Sequence, residues 1–67
     1  MSYEVIRATN IVVQTIDDKV KQLQETIGDG KAGSYEEYRG LCGEVKGLLA
    51  ARSYIKDLTK NMEELDE

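Results

Sequence analysis

Gly28-Asp29-Gly30-Lys31-Ala32-Gly33-Ser34-Tyr35-Glu36-Glu37 is the stretch that decides the fold. Its first six residues include three glycines and no large apolar side chain, so they offer nothing to a helix face or a core. Ser34 followed by Glu37 has the spacing of a capping box, in which each side chain accepts a hydrogen bond from an orphan backbone N–H at a helix start. Gly28 falls where a left-handed residue would close a preceding helix. Asp29-Gly30 also has the form of a hairpin turn between strands, but its flanks have helical period. The chain reads as helix, hinge over 28–34, and a second helix.

Upstream of the hinge, Ile6, Val13, Val20 and Ile27 recur every seven residues, with Thr9, Ile16 and Leu23 between them. This is the pattern of a helix that presents one seam to a partner helix. Asn10-Ile11-Val12-Val13 is rich in β-branched side chains and could pair as a short strand with Glu4-Val5-Ile6-Arg7. The unbroken heptad favours helix, because β-branching costs only about a few tenths of a kcal/mol per residue there. Residues 1–9 stay open between helix, strand and disorder. Ile11 and Val12 lie off the seam and point to a second buried face. Downstream, a stripe runs through Tyr38, Leu41, Val45, Leu48, Ala51, Ile55, Leu58, Met62 and Leu65. A helix over about 35–65 would be roughly 46 Å long at 1.5 Å per residue. No proline interrupts it.

The expected fold is therefore all-α: a single small domain over 1–67, a two-helix antiparallel hairpin with helices over about 3–27 and 35–65. The second helix is the longer, so its C-terminal turns, with Leu58, Met62 and Leu65, are expected to overhang the first and to need another cover. A chain of 67 residues has a core that supplies only about 3–5 kcal/mol, and such chains usually add a staple. With one cysteine and no histidine, an intrachain disulfide is impossible and the usual zinc sets cannot be assembled. Oligomerisation or docking on a larger assembly is left as the staple, and no metal or cofactor is expected.

The net charge is −4, all of it carried by residues 57–67, where Asp57, Glu63, Glu64, Asp66 and Glu67 face Lys60 alone. This tail reads as a solvated helix end. The chain lacks the basic stripe of a phosphate-binding surface, so nucleic acid is not the expected partner, although Arg52, Lys56 and Lys60 share one face. No apolar run approaches the roughly 20 residues of a membrane span, and no signal-peptide core is visible. Cys42 has no histidine base to make it a nucleophile. The carboxylate pairs Asp17-Asp18, Glu36-Glu37 and Glu63-Glu64 are adjacent, so on a helix they point about 100° apart and read as solvated faces. No catalytic residue is assigned and no enzymatic activity is expected.

The most distinctive motif is Gly40-Leu41-Cys42-Gly43-Glu44-Val45-Lys46-Gly47-Leu48-Leu49-Ala50-Ala51. Gly40, Gly43 and Gly47 share one helical face that continues into Ala50 and Ala51. Each interior glycine costs about 0.8–1 kcal/mol relative to alanine, so a compensating contact is expected. That contact is either the first helix, packed tightly against the glycines, or a partner. The only aromatics are Tyr3, Tyr35, Tyr38 and Tyr54, a residue type that suits interfaces because its ring buries while its hydroxyl stays wet. The candidate protein interface comprises Tyr38, Gly40, Gly43, Gly47, Ala51, Tyr54, Leu58 and Met62.

The run Ser34-Tyr35-Glu36-Glu37-Tyr38-Arg39-Gly40-Leu41-Cys42-Gly43-Glu44-Val45-Lys46-Gly47-Leu48, with Ala50-Ala51 and Tyr54-Ile55-Lys56-Asp57-Leu58 after it, resembles small helical proteins of tailed bacteriophages. These share a Tyr-x-x-Leu-x-Gly-x-Val/Ile-x-Gly-Leu pattern and an acidic C-terminus, and many are encoded among head and head–tail assembly genes. The likeness covers about half the chain and brings no catalytic residues. It implies a non-enzymatic structural or assembly protein, made in the host cytoplasm and carried in the virion, that binds a portal, capsid or tail component in many copies or pairs with itself. The alternative is an early phage protein that inhibits a host enzyme by laying its acidic C-terminus on a basic surface.

Overall fold

In a computed structural model, the chain forms two α-helices, α1 (Tyr3–Gly28) and α2 (Tyr35–Asp66), packed side by side as an all-helical hairpin. The structure describes the backbone of residues 3–66 and side chains through Met62. The readings made on Leu65 and on Glu63, Glu64, Asp66 and Glu67 therefore lie outside the described side chains. Among the described residues there is no strand, and Asn10–Val13 is helical, as the heptad argues.

The hinge is closed by local hydrogen bonds. Asp29 N–H donates to the Glu25 carbonyl (2.9 Å), Gly30 N–H to Ile27 (3.2 Å) and Lys31 N–H to Thr26 (3.3 Å). The last two are the bond pair of a Schellman cap, whose left-handed residue is the donor of the shorter loop. That residue is Gly30, at φ 69°, and not Gly28, as the sequence implied. Gly28 stays inside the last helical turn. Ser34 caps α2: its Oγ accepts from Glu37 N–H at 3.1 Å, and its carbonyl accepts the first helical bond from Tyr38 N–H. The Glu37 carboxylate reaches back as expected but accepts from Gly33 N–H (2.7 Å), one residue earlier than the standard box. A Cβ at Gly33 would lie 3.1 Å from that carboxylate oxygen. Replacing Ser34 with alanine removes the acceptor and should lower hairpin stability by about 1 kcal/mol. Thermal melts of Ser34→Ala and Ser34→Asp test this, with aspartate expected to restore the loss.

The seam on α1 runs as the heptad predicts. Ile6, Thr9, Val13, Ile16 and Ile27 are half-buried, and Val20 and Leu23, each 7% exposed, are the only buried apolar side chains among the described residues. On α2 the seam departs from the apolar stripe. Leu41, Val45, Leu48 and Ile55 are half-buried, but the alternating three-and-four steps continue through Arg52 and Thr59. Leu58 is 60% exposed and Met62 is exposed as well. The apolar stripe steps three residues from Leu48 to Ala51, where the seam steps four to Arg52. From that point Ala51, Leu58 and Met62 leave the seam for one side, while Ile55 stays on it.

Asp17 explains the arginine. Arg52 Nε donates to Asp17 Oδ1 at 2.6 Å, a part-buried bond that ties the two helices together. Asp17 is thus a seam partner, whereas adjacency in sequence had made it one of a solvated pair. Both side chains keep about a third of their surface exposed, so the coupling should be modest, about 0.5–1 kcal/mol. A double-mutant cycle over Asp17→Asn and Arg52→Gln measures it, and the coupling should shrink in high salt.

The same bond sets the register. Tyr3 lies fourteen residues before Asp17, and Asp66 fourteen after Arg52, so at 1.5 Å per residue both ends sit about 21 Å beyond the pair. The helices finish flush at the open end. The extra length of α2 lies instead beside the hinge, over residues 35–40, opposite to the overhang expected from the sequence. Leu58 and Met62 are exposed because of the side they face, not because α1 is too short. Thr9, Thr15, Thr26 and Thr59 each donate to the carbonyl four residues earlier, at 2.8–3.0 Å, which satisfies these hydroxyls inside helices.

Candidate interaction surfaces

Two flanks run along the hairpin, and the seam positions define them. Residues one step after a seam position are rotated by about 100° to one side. Asn10 and Gln14 on α1, which follow Thr9 and Val13, and Lys56 and Lys60 on α2, which follow Ile55 and Thr59, line one shared groove of about 370 Å³. In this antiparallel pair, equal rotations therefore bring residues of both helices to the same flank. That flank is polar. Of the three basic residues noted on one face, Lys56 and Lys60 line the groove, and Arg52 is committed to Asp17.

Residues one step before a seam position fall on the opposite flank. On α1 these include Ala8, Val12, Thr15 and Lys19, and on α2 Gly40, Glu44, Gly47, Ala51, Tyr54 and Leu58. Seven of the eight candidate interface residues, Gly40, Gly43, Gly47, Ala51, Tyr54, Leu58 and Met62, lie together on α2 within an arc of about 100° along this outer side. Tyr54 and Leu58 are strongly exposed, and Ala51 is half-buried. A Cβ built at Gly40, Gly43 or Gly47 would meet nothing within 4 Å. The glycines do not admit α1, so the reading in which they serve tight packing inside the hairpin is overturned. The reason is register: α1 meets Leu41, Val45 and Leu48, and the glycines are turned away from them.

Tyr38 does not join this group. It follows α1's reach into the extra turns of α2, where its ring stacks on Tyr35 with centroids 6.3 Å apart and planes inclined by 24°. A hydrogen bond and an electrostatic interaction with Cys42, one turn on, hold the Tyr38 hydroxyl above its usual value of 10.0. The hydroxyl is therefore neutral throughout the physiological range. Cys42 is a free, half-buried thiol. Ile11 and Val12, which the sequence assigned to a second buried face, are both exposed within the hairpin. Val12 shares the outer flank, whereas Ile11 points directly away from α2.

Among the described residues, no group of three His, Cys, Asp or Glu side chains is placed to hold a metal ion. No described helix is long and apolar enough to cross a membrane. No known protein family, curated protein or solved structure matches the chain.

Proposed function

We propose that this chain is a non-enzymatic assembly module that works by helix packing, in keeping with its resemblance to small helical proteins of tailed bacteriophages. The reading rests on the outer stripe of α2. Three glycines there weaken the helix by about 2–3 kcal/mol in all relative to alanine, and no contact within the hairpin repays the loss. A hairpin with two buried side chains among its described residues has little stability to spare. Small residues with protruding Tyr54 and Leu58 alongside suit the close approach of another helix. The partner is a larger virion component such as a portal, capsid or tail protein, which would complete the core from outside.

The direct test is mass spectrometry of purified particles after the chain is expressed with the phage that encodes it. Recovery at a fixed copy number, with crosslinks from the chain to one structural protein, is the expected result. Its absence from particles would end the virion reading.

A further inference from the structure

We infer that the outer stripe of α2 is a self-association surface, on which α2 of a second copy lies antiparallel with the two-fold axis between Ala50 and Ala51. The inference rests on the reading of that stripe as an interface, but not on a virion role.

The stripe matches its own reverse. Gly47 lies three residues before Ala50, and Tyr54 three residues after Ala51; Gly43 lies seven before and Leu58 seven after. A two-fold axis perpendicular to the helix at Ala50–Ala51 therefore sets each large side chain over a partner's glycine, Tyr54 on Gly47 and Leu58 on Gly43. In such an isologous contact each pairing occurs twice. Ala50 and Ala51 face their own counterparts at the crossing, where helices approach most closely. All six positions are uncharged, with Glu44 beside them on the same flank, so recognition along the stripe itself rests on shape rather than on ion pairs. The stripe fits an uncharged helix with small residues at one end and large ones at the other, which is what it presents.

The elongated chain has surface to spare for such a contact. The chain exposes 5265 Å², about 1,000 Å² more than a compact protein of its 7.5 kDa mass would. A stable interface hides about 800 Å² on each partner. The excess comes from the shape, 50 × 15 × 12 Å, which pairing along the long axis would thicken. The pair, rather than the single chain, is then the unit that a larger component would receive.

The test uses the purified chain alone. Sedimentation equilibrium should give about twice the 7.5 kDa chain mass, with a melting temperature that rises by roughly 5 °C for each tenfold increase in concentration. Leu58→Glu and Gly47→Leu should reduce the mass to one chain under conditions where the wild type is paired. Leu49→Glu should not, because Leu49 is exposed on the groove side. A chain that depends on pairing can unfold when pairing is lost, so a second measurement keeps the native contact. In a Cys42→Ser background, Ala50→Cys should form a disulfide-linked dimer under mild oxidation, whereas Lys46→Cys, off the stripe, should not. A wild type that stays at one chain mass with a concentration-independent melt overturns the inference. So does crosslinking through Lys46→Cys as fast as through Ala50→Cys. Neither result bears on whether the chain is found in particles.

Discussion

Leu23→Ala is expected to cost the hairpin about 2 kcal/mol or more, enough to melt most of it in dilute solution. Leu23 is one of two apolar side chains buried among the described residues, and truncating a buried leucine to alanine costs about 2–5 kcal/mol. A two-helix seam can close partly around the gap, which puts the loss toward the lower end of that range. Stability this small makes the consequence large, because a ratio of folded to unfolded chains shifts about tenfold for every 1.4 kcal/mol. The paired control is Leu49→Ala, which removes the same atoms from an exposed site and should cost well under half as much. Helicity followed by circular dichroism against temperature, at one fixed concentration, separates the two. Equal losses would mean that α1 meets a different face of α2.

The triple variant Gly40→Ala, Gly43→Ala, Gly47→Ala is expected to raise hairpin stability by about 2–3 kcal/mol at micromolar concentration. Alanine stiffens the unfolded chain and favours helix by up to about 1 kcal/mol at each open helical site. None of the three sites has a neighbour within 4 Å of the added Cβ, so no overpacking offsets the gain. The methyl groups at positions 43 and 47 would also crowd Leu58 and Tyr54 of a second copy. The variant should therefore melt higher when dilute and associate more weakly when concentrated. A triple variant that melts below the wild type in dilute solution would show that the glycines touch something within the single chain.

The hinge and the α1 seam were legible because both rest on local rules. Ser34 and Glu37 make a cap out of residues three apart, and Ile6 to Ile27 repeat without interruption. The cap glycine was harder to place, since Gly28 and Gly30 both suit a left-handed residue and only the Thr26 and Ile27 carbonyls select between them. The α2 seam was misread where apolar residues and heptad positions part company. Hydrophobicity chose Ala51 and Leu58, but the geometry of α1 chose Arg52 and Thr59. Arg52 passes as a solvent residue until Asp17, 35 residues away, is known to face it. The direction of the overhang failed for the same reason, because helix lengths alone do not fix register. Seven of the candidate interface residues share one side of α2 because three-and-four spacing groups them there. Tyr38 was included on residue type, and its position in the extra turns at the hinge removed it.

The locality of the hinge also governs the order in which the fold can be built. Its bonds join residues no more than five apart, so the reversal can form before either helix is complete. The pairings across the seam are nested around it, from Asp17 with Arg52 outward to Thr9 beside Lys60. Each step outward then closes only a small additional loop on a chain already reversed, and loop closure is the slow element in building non-local contacts. The hairpin zips rather than collapses. On a ribosome, α1 emerges first and waits, a helix with no cover along its seam, until the hinge and the first turns of α2 follow it out. Ordered structure then spreads back along polypeptide already made, and the outer turns of α2 settle beside the outer turns of α1.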